Sequence, residues 1–233
     1  MFMVKMSSKT SNTPQTVKTK TPTSKAMASK AFSGKKAPRK ASPRAWQRML
    51  SGRRLDLLDP SPMDIEIEDI AHGLARVARW NGQTEGDWAF SVAQHSVLVE
   101  RLFTKMNPDA PRKWRLACLL HDAPEYVIGD MITPFKAMLS AEYANVEKRL
   151  EIAVHIRFGL PGDLPQWVHA AIKRADKLAA FMEATQLAGF SEQEARQAIA
   201  KPRAVPKMKI KPQPPKEAAD AYIRRFRYLG GKS

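Results

Sequence analysis

Apolar side chains recur three and four positions apart along most of residues 65–229, and nowhere do they alternate strictly. A chain patterned in this way folds into helices that each bury one face. The spacing predicts a helix over 65–78, with Ile67, Ile70, Leu74 and Val77 inward and Asp64 as its cap, then a polar loop at NGQTEGDW. A second helix runs from Ala89 to about Met106 through Val92, His95, Leu98, Val99 and Leu102. Pro111 opens a third, which continues through LLHDAPEY and stops near Gly129. Residues 140–158 form the next, ended by Gly159 and Pro161. A long helix follows from Pro165 to Gly189, and Ser191 caps a short one that reaches Ala200. KPRAVPKMKIKPQPP reads as extended, and Pro215 opens a last helix. The expected class is an all-α bundle.

Charge divides the chain differently. Of the 39 Lys and Arg, 11 lie within residues 1–44, where there is no Asp or Glu; the remaining 28 face 23 acidic residues, a net of +5. Residues 1–44 are rich in Lys, Ser, Thr and Pro and hold too few large apolar groups to offset the entropy of ordering them. They read as a disordered basic tail. Three explanations compete for it: an electrostatic arm for nucleic acid or anionic lipid, a transit-type presequence, or translated sequence upstream of a later start at Met3, Met6, Met27 or Met49. Residues 45–233 form the folded domain, with a core over 65–200, a proline-rich connector over 201–215 and a C-terminal helix over 216–229. Cys118 is the single cysteine, so no internal disulfide forms, which fits a reducing cytoplasm. No apolar run approaches the roughly 18 residues of a membrane span.

The informative exceptions are charged groups on apolar faces. His95, His121, Asp122 and Asp176 all fall where the helical period points inward, and Glu125 follows His121 by one turn. An HD dipeptide alone arises by chance in about one such chain in four, given 5 His among 233 residues, and a lone inward His is usually a hydrogen-bonded core residue. Four such groups together are harder to dismiss, because burying unpaired charge costs several kcal/mol. One divalent ion held by two imidazoles and two carboxylates relieves that cost. The ligand set suits Co, Mn, Zn, Fe or Ni better than Ca or Mg.

The order His95, His121–Asp122, Asp176 resembles the H…HD…D signature of the HD-domain metal-dependent phosphohydrolases. More narrowly, ARW at 78–80, QHS at 94–96, LLHDAPEYVIGDMITPFK at 119–136 and KRADKLAAF at 173–181 resemble the bacterial 5′-deoxynucleotidase branch. The resemblance covers about residues 65–185. It implies an HD-domain helical bundle that removes phosphate from (deoxy)ribonucleoside 5′-monophosphates, with His95, His121, Asp122 and Asp176 on the metal. It further implies that Glu125 and Asp130 act on the attacking water or leaving group, that Arg79, Thr133 and Lys136 meet the phosphate, and that Trp80 packs on the base or sugar. By analogy it implies a homodimer. Core packing for Trp80 and solvated surface charge for Arg79 and Lys136 are the rival readings. At the level of the whole protein, a deoxynucleoside triphosphate hydrolase shares the ligand set, and a nucleic-acid-binding protein on a non-catalytic HD scaffold is the alternative from a different class.

Overall fold

In the computed structural model, which describes residues 45–132 and 141–232, the first described element is a short hairpin. The expected disordered tail, residues 1–44, lies outside the described residues, as do 133–140 and 233. Strand β1 (Trp46–Arg48) pairs antiparallel with β2 (Arg54–Asp56), Gln47 opposite Leu55. Gly52 turns the chain at φ 96°, a conformation that a residue without Cβ adopts most readily. Leu55 is fully buried and anchors the hairpin, whereas Leu50 is 76% exposed near the turn. Strands of three residues are too short to show alternation in the sequence.

The rest of the described chain is mostly helical: α1 (Ile67–Leu74), α2 (Val92–Met106), α3 (Arg112–Leu119), α4 (Glu125–Ile128), α5 (Ala141–Arg157), α6 (Gln166–Gln186), α7 (Glu192–Ala198) and α8 (Pro215–Tyr228). Helix α2 is central and packs against α3, α6 and α8, while α1 packs against α4 and α8. No helix among the described residues is long and apolar enough to cross a membrane. Ser191 caps α7 as expected, through a reciprocal capping box with Glu194, and Pro215 is the first residue of α8.

Two local expectations fail, each for a physical reason. Asp64 does not cap α1. It ends a 3₁₀ turn, Pro62–Asp64, that Ser61 caps, and Glu66 precedes α1 without a side-chain cap because its carboxylate binds Arg53 (2.8 Å) and Arg157 (3.2 Å) instead. Helix α1 also stops at Leu74, because the chain beyond it pairs with the segment before α2: Val92 N–H donates to Val77 O and Arg79 N–H to Phe90 O. The second failure is the helix expected to run unbroken through LLHDAPEY. It breaks after Leu119, and residues 120–124 form a turn before α4. Pro124 has no N–H to give to the Leu120 carbonyl, and its ring would strike that carbonyl in a continuous helix. The turn closes with shorter-span bonds, Ala123 N–H to Leu120 O (2.9 Å) and Glu125 N–H to Asp122 O (3.1 Å).

The extended connector is held by two glutamines. Gln94 of α2 donates to Lys211 O and accepts from Gln213 N–H, and Gln186 of α6 donates to Met208 O and accepts from Ile210 N–H. These bonds satisfy backbone groups that lack a strand partner. They also strap α8 across the bundle, where Ala218, Tyr222 and Phe226 are buried.

Helix α1 approaches α4 so closely that only glycine fits at position 73. A Cβ there would lie 2.9 Å from Tyr126 Cβ and 3.0 Å from its carbonyl oxygen. Gly73→Ala should therefore lower the melting temperature, with the clash, about 1–3 kcal/mol, outweighing the gain of about 1 kcal/mol in helix propensity. A thermal unfolding series in which the variant proves more stable would contradict the packing described here.

Candidate metal centre

Three parts of the chain converge on one point. His95 sits in the first turn of α2, on its buried face, and Ser91 fixes that turn by accepting the Gln94 N–H. His121 and Asp122 come from the turn after α3, and Asp176 from the middle of α6. His95 Nε2 lies 3.3 Å from Asp122 Oδ2 and 3.3 Å from Asp176 Oδ1, while His121 Nε2 lies 3.2 Å from the same Asp122 Oδ2. His95, His121 and Asp122 each offer a ligand atom within 4.8 Å of the others. Asp176 falls outside that mutual set and reaches the centre through its approach to His95.

The tautomers follow from the partners on the far side of each ring. His121 Nδ1 is 2.9 Å from the Cys118 carbonyl, which can only accept, so Nδ1 carries the proton and Nε2 the lone pair. His95 Nδ1 is 2.6 Å from Glu183 Oε1. Burial alone would raise the Glu183 pKa, but His95, Arg79 and the Trp80 indole N–H hold it down to about 2, so this carboxylate too only accepts. Both Nε2 atoms are buried without a hydrogen-bond partner. Each therefore presents a lone pair to a carboxylate oxygen, which is repulsive unless positive charge lies between them.

Cation and proton are the two remedies. Ligand bonds of about 2.0–2.2 Å place neighbouring ligand atoms about 2.8–3.6 Å apart around an octahedral or tetrahedral ion, so the 3.3 and 3.2 Å separations of the two imidazoles from Asp122 Oδ2 suit one transition metal ion held by His95, His121 and Asp122. Without an ion, protonation is favoured instead. Burial and the Arg79 charge oppose a proton on His95, yet Glu183, Asp122 and Asp176 outweigh them and hold its pKa well above the usual value. Burial likewise works against ionised Asp122 and Asp176, and the two imidazoles hold both below the ordinary carboxylate range.

Behind His95, the fully buried Glu183 gathers three elements. Its Oε2 accepts from Trp80 Nε1 (3.0 Å) and faces Arg79 Nε (3.4 Å), while Arg79 Nη1 pairs with Asp130 at 3.0 Å. Arg79 and Trp80 belong to a 3₁₀ turn, Arg79–Gly82, in which Trp80 and Asn81 are left-handed at φ 56° and 50°. Such conformations cost about 1–3 kcal/mol each for residues other than glycine. The turn aims the indole N–H at Glu183, and the Trp80 ring packs on Phe190 with centroids 5.7 Å apart. Glu183 was not among the expected site residues. It was legible as part of the α6 stripe Ile172, Asp176, Ala179, Glu183, but its partners lie 88 and more residues away in sequence.

Glu125 opens α4 with Oε2 buried and unpartnered. Burial first, then the charges of Asp122 and Asp130, push its pKa up to about 9. Burial likewise raises that of Asp130, despite Arg79. His121, Asp122 and Glu125 line a cavity of about 290 Å³ whose opposite wall is α5, with Ala144, Glu147, Lys148 and Glu151. Sequence reasoning missed this wall, since nothing in the pattern of α5 says which helix it faces. Thr133 and Lys136 lie outside the described residues.

No protein-family model matches the chain. It is 61% identical over 188 residues to Uncharacterized protein RCAP_rcc00048 of Rhodobacter capsulatus, a match that spans 80% of this chain and 96% of that protein. The chain belongs to the family of RCAP_rcc00048. It is also 33% identical over 98 residues to Uncharacterized protein YfdR of Escherichia coli, across 42% of this chain and 49% of the other.

The geometry makes two measurable claims. An acid whose pKa is raised on folding destabilises the folded chain once the unfolded form ionises, so the metal-free protein should lose stability as pH climbs from about 4.5 toward 9. Glu125→Gln, melted in the presence of a chelator, should match the wild type near the lower limit and exceed it increasingly above; a variant less stable at pH 8 would contradict the assignment. Glu183→Gln should weaken binding of Mn²⁺ by about 10–100-fold in calorimetry, because the amide no longer fixes the His95 tautomer.

Proposed function

We propose that the chain is an HD-domain phosphohydrolase that uses one divalent transition metal ion to remove phosphate from nucleoside 5′-monophosphates, deoxyribonucleotides first. The observation that carries this reading is the pair of buried, unpartnered Nε2 atoms that approach one oxygen of Asp122, a residue that lines a cavity. His155 also has a buried, unpartnered Nε2, so what distinguishes His95 and His121 is that theirs converge on one carboxylate oxygen. In this reading His95, His121, Asp122 and Asp176 hold the ion, and Glu183 and the Cys118 carbonyl orient the two imidazoles. The ion supplies Lewis-acid activation of a phosphoryl oxygen and of water.

The remaining steps belong to the chain. Glu125, with one oxygen free and directed into the cavity wall, orients the attacking water and delivers a proton to the departing nucleoside oxygen. A bond forms from the water oxygen to phosphorus, the ester P–O bond breaks, and nucleoside and inorganic phosphate leave. Arg79 and Asp130, paired at 3.0 Å, fix Glu183 and the charge around Glu125. The reading places the protein in the cytoplasm, where a free thiol such as the buried Cys118 stays reduced.

Purified protein should contain about one Mn, Co, Fe, Ni or Zn per chain and release inorganic phosphate from dAMP. His121→Ala and Asp122→Ala should each lower kcat/KM by at least about a hundredfold and reduce bound metal. Release of tripolyphosphate from dATP, with dAMP untouched, would replace the monophosphatase reading by a triphosphate hydrolase. Wild-type rates in both variants would end the enzymatic proposal.

A further inference from the structure

Helix α5 contributes half of the described lining of the cavity that His121, Asp122 and Glu125 border, and the chemistry of that lining is uneven. Among its described lining residues four are carboxylates, Asp122, Glu125, Glu147 and Glu151, and the one cation is Lys148. An anion entering this space meets three acidic groups, Asp122, Glu147 and Glu151, beside the protonated Glu125. Beyond an ion held by the histidines and Asp122, the described lining offers one group that could attract it.

Lys148 is held in place for such a contact. Its Nζ lies 3.0 Å from Glu151, one turn along the same helix, and 2.9 Å from Asp163 in the loop beyond α5. An ammonium group has three donors, so these partners leave one N–H for a ligand oxygen. The two carboxylates also fix the side chain before anything binds, which lowers the ordering cost of a flexible four-carbon stem. The cavity, about 290 Å³, is at the small end of ligand sites, which run from roughly 300 Å³ upward. Each phosphate beyond the first would add negative charge against Glu147 and Glu151 and find no second lining cation among the described residues.

Resting on the phosphohydrolase reading above, we infer that Lys148 is the residue of α5 that contacts the substrate's phosphate, and that its carboxylate surroundings select monophosphates over triphosphates. Nothing in the sequence motifs pointed to this residue; it enters through the juxtaposition of α5 with His121, Asp122 and Glu125 across the cavity.

The test uses full-length protein loaded with Mn²⁺, its bound metal counted, and titrates inorganic phosphate by calorimetry beside steady-state kinetics on dAMP and dATP. Lys148→Ala should leave bound metal unchanged, weaken inorganic phosphate and raise KM for dAMP by about tenfold each, and keep kcat within about threefold. Lys148→Arg should recover most of the affinity. Equal phosphate affinity in the wild type and Lys148→Ala overturns the inference, as does a wild type that binds no phosphate or that prefers dATP to dAMP. A wild type that binds phosphate through Lys148 yet hydrolyses no monophosphate would sink the phosphohydrolase reading and leave an anion-binding lysine.

Discussion

Two imidazole lone pairs facing one carboxylate oxygen form an arrangement that repels itself until positive charge enters it. That requirement organises the centre of the molecule. His95 and His121 cannot relieve it by changing tautomer, because Glu183 and the Cys118 carbonyl each claim the opposite nitrogen of the ring. A proton entering this site settles on His95 rather than on Asp122, since the carboxylates around His95 hold its pKa well above the usual value and the charged ring in turn holds that of Asp122 well below. The remaining solutions are a proton shared at His95 or a cation seated among the ligands, and the latter satisfies every group at once. A proton and a metal ion therefore compete for the same place, which couples ion binding to pH.

The charge order extends outward in alternating layers. Next to the imidazoles lies Glu183, buried and ionised; against Glu183 lie the Arg79 guanidinium and the Trp80 indole N–H; and on Arg79 lies Asp130. Each group is buried or nearly so, and each would be expensive alone. Among the described residues six buried polar atoms lack a partner, and three of them, the two Nε2 atoms and Glu125 Oε2, belong to candidate ligands or to the cavity lining; Ser96 Oγ, the Tyr126 hydroxyl and His155 Nε2 are the others. The strained backbone at Trp80 and Asn81 belongs to the same order, since a left-handed turn brings Arg79 and the indole to one carboxylate from adjacent positions.

How much of this could be read beforehand depended on the range of the interaction. The inward position of His95 follows from a period of 3.6 within a single helix, and the caps at Ser191 and Pro215 are local signals, so these were legible, whereas the side chain of Asp176, placed inward by the same period, is 37% exposed. The hairpin was not, because its strands hold three residues each and its register is set by Leu55 reaching the core. Glu183 was visible as a face but not as a partner, since nothing local tells a carboxylate on α6 that an imidazole on α2 and an indole before it will surround it. The α5 wall of the cavity was invisible for the same reason, compounded by a weakly amphipathic sequence in which charges fall on every side.

The break at residues 120–124 shows why a motif can be recognised while its geometry is misread. In a continuous helix, neighbouring side chains diverge by about 100°, so His121 and Asp122 would share only the edge of a face. Pro124 prevents that helix, and in the turn that replaces it His121 Nε2 and Asp122 Oδ2 come within 3.2 Å. Ending a helix in the interior leaves carbonyls without intrahelical partners, which is costly unless another element supplies donors. Here the protein supplies them from two sources: His121 Nδ1–H donates to Cys118 O, and the Tyr222 hydroxyl of α8 donates to Leu119 O at 3.2 Å. The C-terminal helix, strapped across the bundle by the glutamine-held connector, thus does more than cover apolar surface. By accepting the broken end of α3, it allows a histidine and an aspartate adjacent in sequence to point at the same place.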